Sequence, residues 1–129
     1  MNVVDSSGWL EYFSNGPNAS FFSPAIEDTD SLLVPSIALY ETYKRLRSQR
    51  GAEIARAAAS TMMMARIINL DSPLALASAE ISLTYKLSLA DSIIYTIARQ
   101  FRATFWTQDS DFRDLEGVNY IEAASTHRK

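Results

Sequence analysis

The stretch LSLADSIIYTIARQFRATFWTQDSDF, residues 87–112, carries the pattern that decides the fold. Its first part, SLADSIIYTIARQF, predicts an amphipathic helix, and ATFWT after it predicts a buried strand. Two aspartates, Asp109 and Asp111, follow at the point where this strand should end. A buried strand that runs directly into two charges indicates an acidic pocket, whose other members lie elsewhere in the chain.

The same succession of strand and helix extends through the rest of the chain. Strands are predicted at MNVVD, SLLVP, IINL, ATFWT and VNYIEA. Helices are predicted at SSGWLEYFSNG, with Ser6 or Ser7 as its cap, and at NASFFSPAIED, SIALYETYKRLRSQR, AEIARAAASTMMMAR, Pro73 to about Lys86, SLADSIIYTIARQF and DSDFRDLEG. Strands that alternate with helices over short connections form βαβ units. The sequence therefore predicts an α/β fold of three layers, with helices on both faces of a mostly parallel central sheet.

Length and composition predict one globular domain. The 129 residues, with 47% hydrophobic and 21% charged, are expected to form a single domain over 1–129, in which about residues 123–129 fray. No apolar run approaches the roughly 18 residues that a transmembrane helix needs. The N-terminal MNVVD has no basic region and reaches Asp5 after four residues, which argues against a signal peptide. We therefore expect a cytoplasmic protein.

The residue types that are scarce restrict the chemistry. Cysteine is absent, which excludes disulfides, thiolate nucleophiles and cysteine-ligated zinc. The only histidine, His127, lies near the end of the sequence. Catalysis would then use carboxylates, hydroxyls, amines or a metal. The net charge of −3 argues weakly against a broad nucleic-acid-coating surface, although a local basic patch remains compatible with it.

Four acids fall where strands of a parallel sheet would end. Asp5 ends the first strand, Glu41 lies in the helix after the second, Asp91 lies in the first turn of a helix, and Asp109 follows ATFWT. Ligands of such sheets bind beyond the carboxyl ends of the strands. Two carboxylates 4 Å apart repel by about 4 kcal/mol at an effective dielectric near 20, so a shared pocket must bind a cation or hold protons. Oxygen ligands favour Mg²⁺ or Mn²⁺.

Each acid also has a purely structural interpretation. Asp91 can form a capping box with Ser88, and Asp109 can cap the DSDFRDLEG helix. Asp111 can be a solvated first-turn acid, and Glu41 an exposed helical glutamate. Asp5 is harder to explain in this way, because Ser6 and Ser7 are available to cap the first helix. The joint position of the acids in the alternation favours a shared role.

Taken together, VVDSSGWLEYF, VPSIALYETYKRL and LSLADSIIYTIARQFRATFWTQDSDF resemble the PIN-domain family, and specifically its VapC-type toxins. That family builds an acidic centre from an aspartate after the first strand, a glutamate after the second, and aspartates in ADxxI and TxDxDF. The resemblance implies Asp5, Glu41, Asp91 and Asp109 as catalytic acids, Asp5, Asp91 and Asp109 as metal ligands, and Asp111, Thr107 and Ser6 as auxiliary residues. Trp106 departs from the usual smaller residue and is expected to alter the mouth of the pocket.

The family implies a function and partners. The expected activity is that of a Mg²⁺-dependent endoribonuclease, with Mn²⁺ as an alternative ion, acting as the toxin of a toxin–antitoxin pair. A VapB-like antitoxin would block the site, RNA would be the substrate, and the chain would form a homodimer. One alternative is a PIN-like binding module without activity. Another is a Mg²⁺-dependent phospho-acceptor domain with Asp71 as acceptor, although DSS and VNYIEA lack the acids and the lysine it needs.

Three further patterns remain open between structural and functional interpretations. Five basic residues lie in the helix that contains Glu41 and in the segment after it. They form either a solvated face or a binding surface for RNA phosphates: Lys44, Arg45, Arg47, Arg50 and Arg56. The same helix is expected to place Ile37, Tyr40, Glu41 and Lys44 on one partly apolar stripe. Met62 to Met64 are interpreted as core or helix-packing residues, with an interface as the alternative for part of this segment. Aromatic residues of the first two helices form either core or a partner groove: Trp9, Tyr12, Phe13, Phe21 and Phe22.

Overall fold

The computed structural model describes residues 1–124, in which five strands form one sheet with every pairing parallel. The strand order is β3-β2-β1-β4-β5. The strands are β1 (Asn2–Val4), β2 (Leu32–Pro35), β3 (Arg66–Ile68), β4 (Thr104–Thr107) and β5 (Val118–Tyr120). The helices are α1 (Ser6–Phe13), α2 (Ala19–Glu27), α3 (Ser36–Arg50), α4 (Ala52–Met62), α5 (Ser72–Tyr85) and α6 (Leu89–Gln100).

Side chains alternate between the two faces of the sheet and bury both. Val3, Leu33 and Phe105 pack against α5 and α6, while their neighbours Val4 and Val34 pack against α1 and α2. This period of two, applied to strands that are apolar on both sides, produces a sheet covered on each face. The predicted three-layer α/β/α architecture is confirmed. None of the helices described within residues 1–124 is long and apolar enough to cross a membrane.

Several predicted boundaries need correction. Asp5, and not Ser6 or Ser7, caps α1, because its carboxylate accepts the backbone hydrogen bond of Gly8. Helix α4 ends at Met62, where the predicted helix continued, and the strand begins at Arg66, one residue before IINL. The DSDFRDLEG segment forms only a 3-10 turn, Ser110–Phe112. His127 and most of the predicted frayed tail lie outside the described residues.

The predicted partly apolar stripe of α3 is wrong for Tyr40 and Lys44, whereas Ile37 and Glu41 are partly buried. The buried residues of α3 are Ala38, Thr42 and Leu46, whereas Tyr40 is 57% exposed and Lys44 is also exposed. The reason is that α3 packs against α1, α4 and α6, which together select a different face from the one that hydrophobicity suggests. Glu41 lies at the margin of the buried face and is half-buried.

The aromatic residues of α1 and α2 are mainly core. Trp9 and Phe22 are fully buried, and Tyr12, Phe13 and Phe21 pack partly buried against the same cluster. Of the three consecutive methionines, Met62 is buried in this cluster, while Met63 and Met64 are exposed. These two precede β3 and therefore lie at the amino-terminal edge of the parallel sheet, opposite the carboxyl ends of β1 and β4.

Candidate functional site

The centre of the sheet contains the point where the strand order reverses. Connections from β1 lead to β2 on one side, while β4 flanks β1 on the other, so a crevice opens between the carboxyl ends of β1 and β4. Asp5 directly follows β1, and Asp109 lies two residues after the end of β4. The last residue of β4, Thr107, joins the two: its hydroxyl donates to Asp5 Oδ2 at 2.7 Å and accepts from the Asp109 amide at 2.9 Å.

Asp5 is the most deeply buried acid, with 3% of its surface exposed. Its Oδ1 accepts hydrogen bonds from Ser7 Oγ at 2.8 Å and from the Gly8 amide at 3.0 Å, and its Oδ2 accepts from Thr107. Burial raises the pKa of Asp5 to about 6, against the lowering effect of these hydrogen bonds. A carboxylate has about four lone-pair sites, so one site on Oδ2 stays available for a further ligand.

Asp91 reaches the crevice from the first turn of α6 and is half-buried. Burial raises the pKa of Asp91 to about 6, and the negative charge of Asp109 contributes in the same direction, while a hydrogen bond from Ser88 opposes it. Ser88 makes no side-chain hydrogen bond to the α6 backbone, and its hydroxyl donates to the carboxylate of Asp91 instead. The predicted reciprocal capping box is therefore incomplete.

Glu41 comes from α3, on the other side of the crevice. Its Oε1 accepts a hydrogen bond from Ser6 Oγ at 2.6 Å, which ties α3 to the start of α1. Ser6 therefore holds Glu41 in the way that Ser7 and Thr107 hold Asp5. Ser7 was considered in the sequence only as a helix cap, and its position two residues after an acid that ends a strand was the available signal for this second role.

These carboxylates line one pocket of about 300 Å³, which we call the acidic pocket: Asp5, Ser6, Ser7, Leu10, Glu41, Arg45, Asp91 and Asp109. The structure thus brings together the four acids that the resemblance implied. Among residues 1–124, one salt bridge is formed, between Arg99 and Glu116. None of the pocket acids therefore has a basic side chain of these residues within 4.0 Å. Arg45 lines the pocket without pairing with an acid at this distance, so four carboxylates share the lining with a single basic side chain.

A subset of the acids fits a metal ion. One carboxylate oxygen each from Asp91, Asp109 and Asp111 lies within 4.8 Å of the others. This trio differs from the expected ligands in having Asp111 where Asp5 was expected. Asp109 Oδ1 accepts from the Asp111 amide at 2.9 Å, which keeps these two side chains together. Oxygen donors alone suit hard cations such as Mg²⁺ or Mn²⁺.

Other residues singled out in the sequence lie apart from the pocket. Trp106 faces the α1–α2 side, where it packs against Phe21 and donates to Asn2 Oδ1 at 2.8 Å. Its predicted effect on the mouth of the pocket is therefore wrong. Asp71 caps α5 beyond the edge strand β3 and is absent from the pocket lining, which weighs against the phospho-acceptor alternative.

The predicted basic residues divide into two groups. Arg45 lines the acidic pocket, and Lys44 lines an adjoining hollow together with Glu41. Arg47 is exposed and does not line the acidic pocket, while Arg50 donates to the carbonyl oxygen of Phe13 at 3.3 Å. The basic stretch is thus not one uniform surface, since only its first part borders the acids.

The family of the chain follows from these features and from comparison with known proteins. The model of the PIN domain family matches residues 3–118, a range that begins within β1, ends at the first residue of β5 and includes every acid of the pocket. The chain therefore belongs to the PIN domain family. Among curated proteins, no relative matches the sequence significantly.

Solved structures with the same fold include a toxin and toxin–antitoxin complexes. A toxin–antitoxin complex from Klebsiella pneumoniae shares 26% identity, with a TM-score of 0.75 over 92% of this chain and 96% of that chain. The sarcin–ricin loop cleaving toxin VapC20 of Mycobacterium tuberculosis shares 17% identity, with a TM-score of 0.76 over 90% and 95%. FitAcB from Neisseria gonorrhoeae shares 20%, with a TM-score of 0.69 over 95% and 97%. The resemblance to VapC-type PIN domains is confirmed.

Proposed function

We propose that this protein is a metal-dependent endoribonuclease that acts in the cytoplasm as the toxin of a toxin–antitoxin pair. The observation that carries the proposal is the excess of acids over basic residues at the β1–β4 crevice, with oxygens of Asp91, Asp109 and Asp111 close enough to share one cation. The similar toxin VapC20 is described as cleaving the sarcin–ricin loop, which supports RNA as the substrate class.

The roles of the acids follow from their contacts. Asp91 and Asp109, with Asp111 at the rim, would hold Mg²⁺ or Mn²⁺, and Asp5 would contribute through its remaining lone pair or through a metal-bound water. Such an ion, when bound, activates water and stabilises the charge that develops on a phosphodiester. Glu41, held by Ser6, is free on its second oxygen to accept a proton or a hydrogen bond from the attacking water. Thr107 keeps Asp5 and Asp109 at a fixed separation.

An antitoxin of the VapB type is the proposed protein partner. The Klebsiella pneumoniae neighbour is a toxin–antitoxin complex, and VapBC neighbours from Rickettsia felis and Salmonella typhimurium are complexes with DNA. A pocket lined by four acids and one arginine, with no salt bridge to these acids among residues 1–124, favours an inserted arginine or lysine, which forms strong charge-assisted hydrogen bonds with carboxylates. Such a side chain would occupy the place of the metal, so inhibition would compete with metal binding.

The homodimer that the family implies has a candidate surface between α5 and α6. The α5–α6 groove has a volume of about 450 Å³, and its lining includes Leu70, Ser78, Leu83, Leu89, Ser92 and Ile93. On the same side Leu76, Leu83 and Leu89 are 72%, 77% and 74% exposed. A surface with three prominent leucines and little charge can meet a copy of itself without like-charge repulsion, so we propose this groove as the dimer contact.

The test of the nuclease proposal is cleavage of defined RNAs with and without Mg²⁺. Asp91→Asn and Asp5→Asn should each lower the rate by at least about 100-fold, because the charge stabilisation that a bound metal supplies is several kcal/mol. Asp114→Asn, which changes an exposed aspartate outside the pocket lining, is the matched control and should cleave normally. Folding of each variant is checked by its thermal transition. Cleavage by both pocket variants at the full rate would exclude the metal–carboxylate mechanism.

A further inference from the structure

An exposed aromatic residue stands beside the acidic pocket. Tyr40 directly precedes Glu41 on α3 and is 57% exposed. Its ring separates two hollows of different character. One, of about 360 Å³, is mainly apolar and is lined by Ser36, Leu39, Tyr40, Tyr43 and Ala59. The other, of about 290 Å³, is polar and is lined by Tyr40, Glu41, Lys44, Arg45 and Ser48.

Arg45 connects the polar hollow to the acidic pocket. It lines both, and it also lines a third hollow with Glu11, Gln49 and Gln108 on the far side. A continuous surface therefore leads from the Tyr40 ring past Arg45 to the carboxylates. Arg45 and Lys44 have no carboxylate within 4.0 Å among residues 1–124, so both charges are available to a ligand.

The chemistry of this surface matches one nucleotide. An aromatic ring is a stacking platform for any base, and an arginine beside it binds phosphate through two parallel N–H groups. The Lys44 ammonium lies over the Tyr40 ring, 5.5 Å from its centre, so a second cation is within reach of a nucleotide that stacks on this ring. A ring that only covered core would be buried, whereas Tyr40 is 57% exposed and borders both an apolar and a polar hollow.

The geometry points to a subsite for one unpaired nucleotide, in which Tyr40 stacks on the base while Arg45 and Lys44 bind its phosphate beside the cleaved bond. This inference rests on the proposed nuclease function and extends it to the form of the substrate. A base in a regular duplex is stacked and paired, so its face is not available to Tyr40. The protein should therefore bind and cut unpaired RNA segments in preference to duplex.

The experiment measures binding apart from cleavage. In the Asp91→Asn background, a short uridine-rich RNA with a single 2-aminopurine is titrated, and its fluorescence falls when the reporter base stacks on an aromatic ring. Tyr40→Ala should weaken binding about 5- to 100-fold and abolish the fluorescence change, while Tyr40→Phe should preserve both. Met64→Ala, an equally prominent side chain at the opposite edge of the sheet, is the control for loss of exposed apolar surface.

The phosphate contact has its own readout. Arg45→Gln should lower affinity and reduce the slope of log affinity against log salt by about 0.7, the value for one phosphate on a single strand. Arg47→Gln changes a neighbouring exposed arginine that does not line the pocket, and it should alter the slope less. The same RNA annealed to its complement should give no fluorescence change with any variant.

The outcomes separate this inference from the nuclease proposal. Equal RNA affinity and equal fluorescence change in the Tyr40→Ala and Tyr40→Phe proteins would overturn the subsite, even if the intact protein cleaves RNA. That result would favour a protein partner as the ligand of Tyr40. Loss of binding in Tyr40→Ala alone would support the subsite even if no cleavage is found. Absence of RNA binding by the Asp91→Asn protein would overturn it as well.

Discussion

The acidic pocket and the α5–α6 groove are both built on the first turns of α6, yet they depart from normal burial in opposite directions. Asp91 turns into the pocket, where carboxylates are drawn together and partly removed from water. Leu89 and Ile93 line the groove, and Leu89 is left 74% exposed. Charges usually stay in solvent and leucines usually leave it. Two adjacent stretches of one helix therefore both carry an unfavourable arrangement.

The two regions differ in how completely the chain itself supports them. In the pocket, hydrogen bonds from Ser6, Ser7 and Thr107 hold the carboxylates in place, so the geometry exists before any ligand arrives. In the groove, the buried Ser78 hydroxyl has no partner among residues 1–124, and Leu83 and Leu89 remain 77% and 74% exposed. A small ion can complete the first region, whereas the second needs a surface of comparable size. The predictions below test this distinction.

The largest effect is expected from a charge placed in the groove. Leu83→Glu should weaken homodimerisation by about 100-fold or more, because an unpaired buried charge costs several kcal/mol. Sedimentation equilibrium over a range of concentrations measures this change. Met64→Glu, which alters an equally exposed residue at the sheet's other edge, should leave association unchanged. Equal association of the Leu83→Glu protein and the intact protein would remove the groove from consideration.

Metal affinity should depend on pH through the pocket acids. The pKa values of Asp5 and Asp91 are raised to about 6 in the metal-free protein, so protons compete with the ion below that pH. From about pH 7 to about pH 5, Mn²⁺ affinity should fall about 10-fold if one carboxyl must lose its proton and about 100-fold if both must. Calorimetric titration measures the affinity. Asp91→Asn should make this dependence shallower, and an affinity independent of pH would contradict the assignment.

Stability should respond more strongly to a pocket hydroxyl than to a groove leucine. Thr107→Val removes the hydroxyl between Asp5 and the Asp109 amide, and should lower the free energy of unfolding by about 1–3 kcal/mol. Thr107→Ser should recover most of this loss. Leu83→Ala, at a site 77% exposed, should change it by less than about 0.5 kcal/mol. Urea denaturation at concentrations that keep the chain monomeric gives all three values, and the reverse order would invalidate the comparison.

The smallest effect concerns the energetic cost of the acids without metal. The pKa of Asp91 is higher in the folded chain than its usual 3.8, so the unfolded chain binds fewer protons and stability falls as pH rises from about 4 to about 6. Asp91→Asn removes this cost at neutral pH. Because Asp91 is only half-buried, we expect a gain of about 1 kcal/mol in metal-free buffer, less than the full shift implies.

The melting temperature, measured with and without Mg²⁺, checks this prediction. Mg²⁺ should raise it for the intact protein and have little effect on Asp91→Asn, because an ion that binds only the folded state stabilises it by mass action. Asp114→Asn is again the control and should behave like the intact protein. A metal-free Asp91→Asn protein that melts below the intact protein would show that Asp91 is a structural residue.

Much of the pocket was predictable because its signals are local. An aspartate directly after a buried run, as in NVVD, and an acid in a helix's first turn, as Asp91 is, can be recognised within a few residues. Parallel strands then bring such positions to one edge of the sheet. Two of the errors concern α3 and the α1 cap. Several helices pack against α3 and together determine its buried face. The α1 cap was assigned to Ser6 or Ser7, although one oxygen of Asp5 caps α1 while its carboxylate also lines the pocket.

The sequence by itself determined the alternation of strands and helices, and with it a parallel sheet whose acids gather at one edge, because periodicity and strand ends are properties of short segments. Only the tertiary structure decided which oxygens approach each other. Asp111 joins Asp91 and Asp109, while Asp5 is held by Thr107 across 102 residues of sequence. The exposure of Tyr40 was decided in the same way, because packing against other helices, and not the residue's own hydrophobicity, selected the buried face of α3.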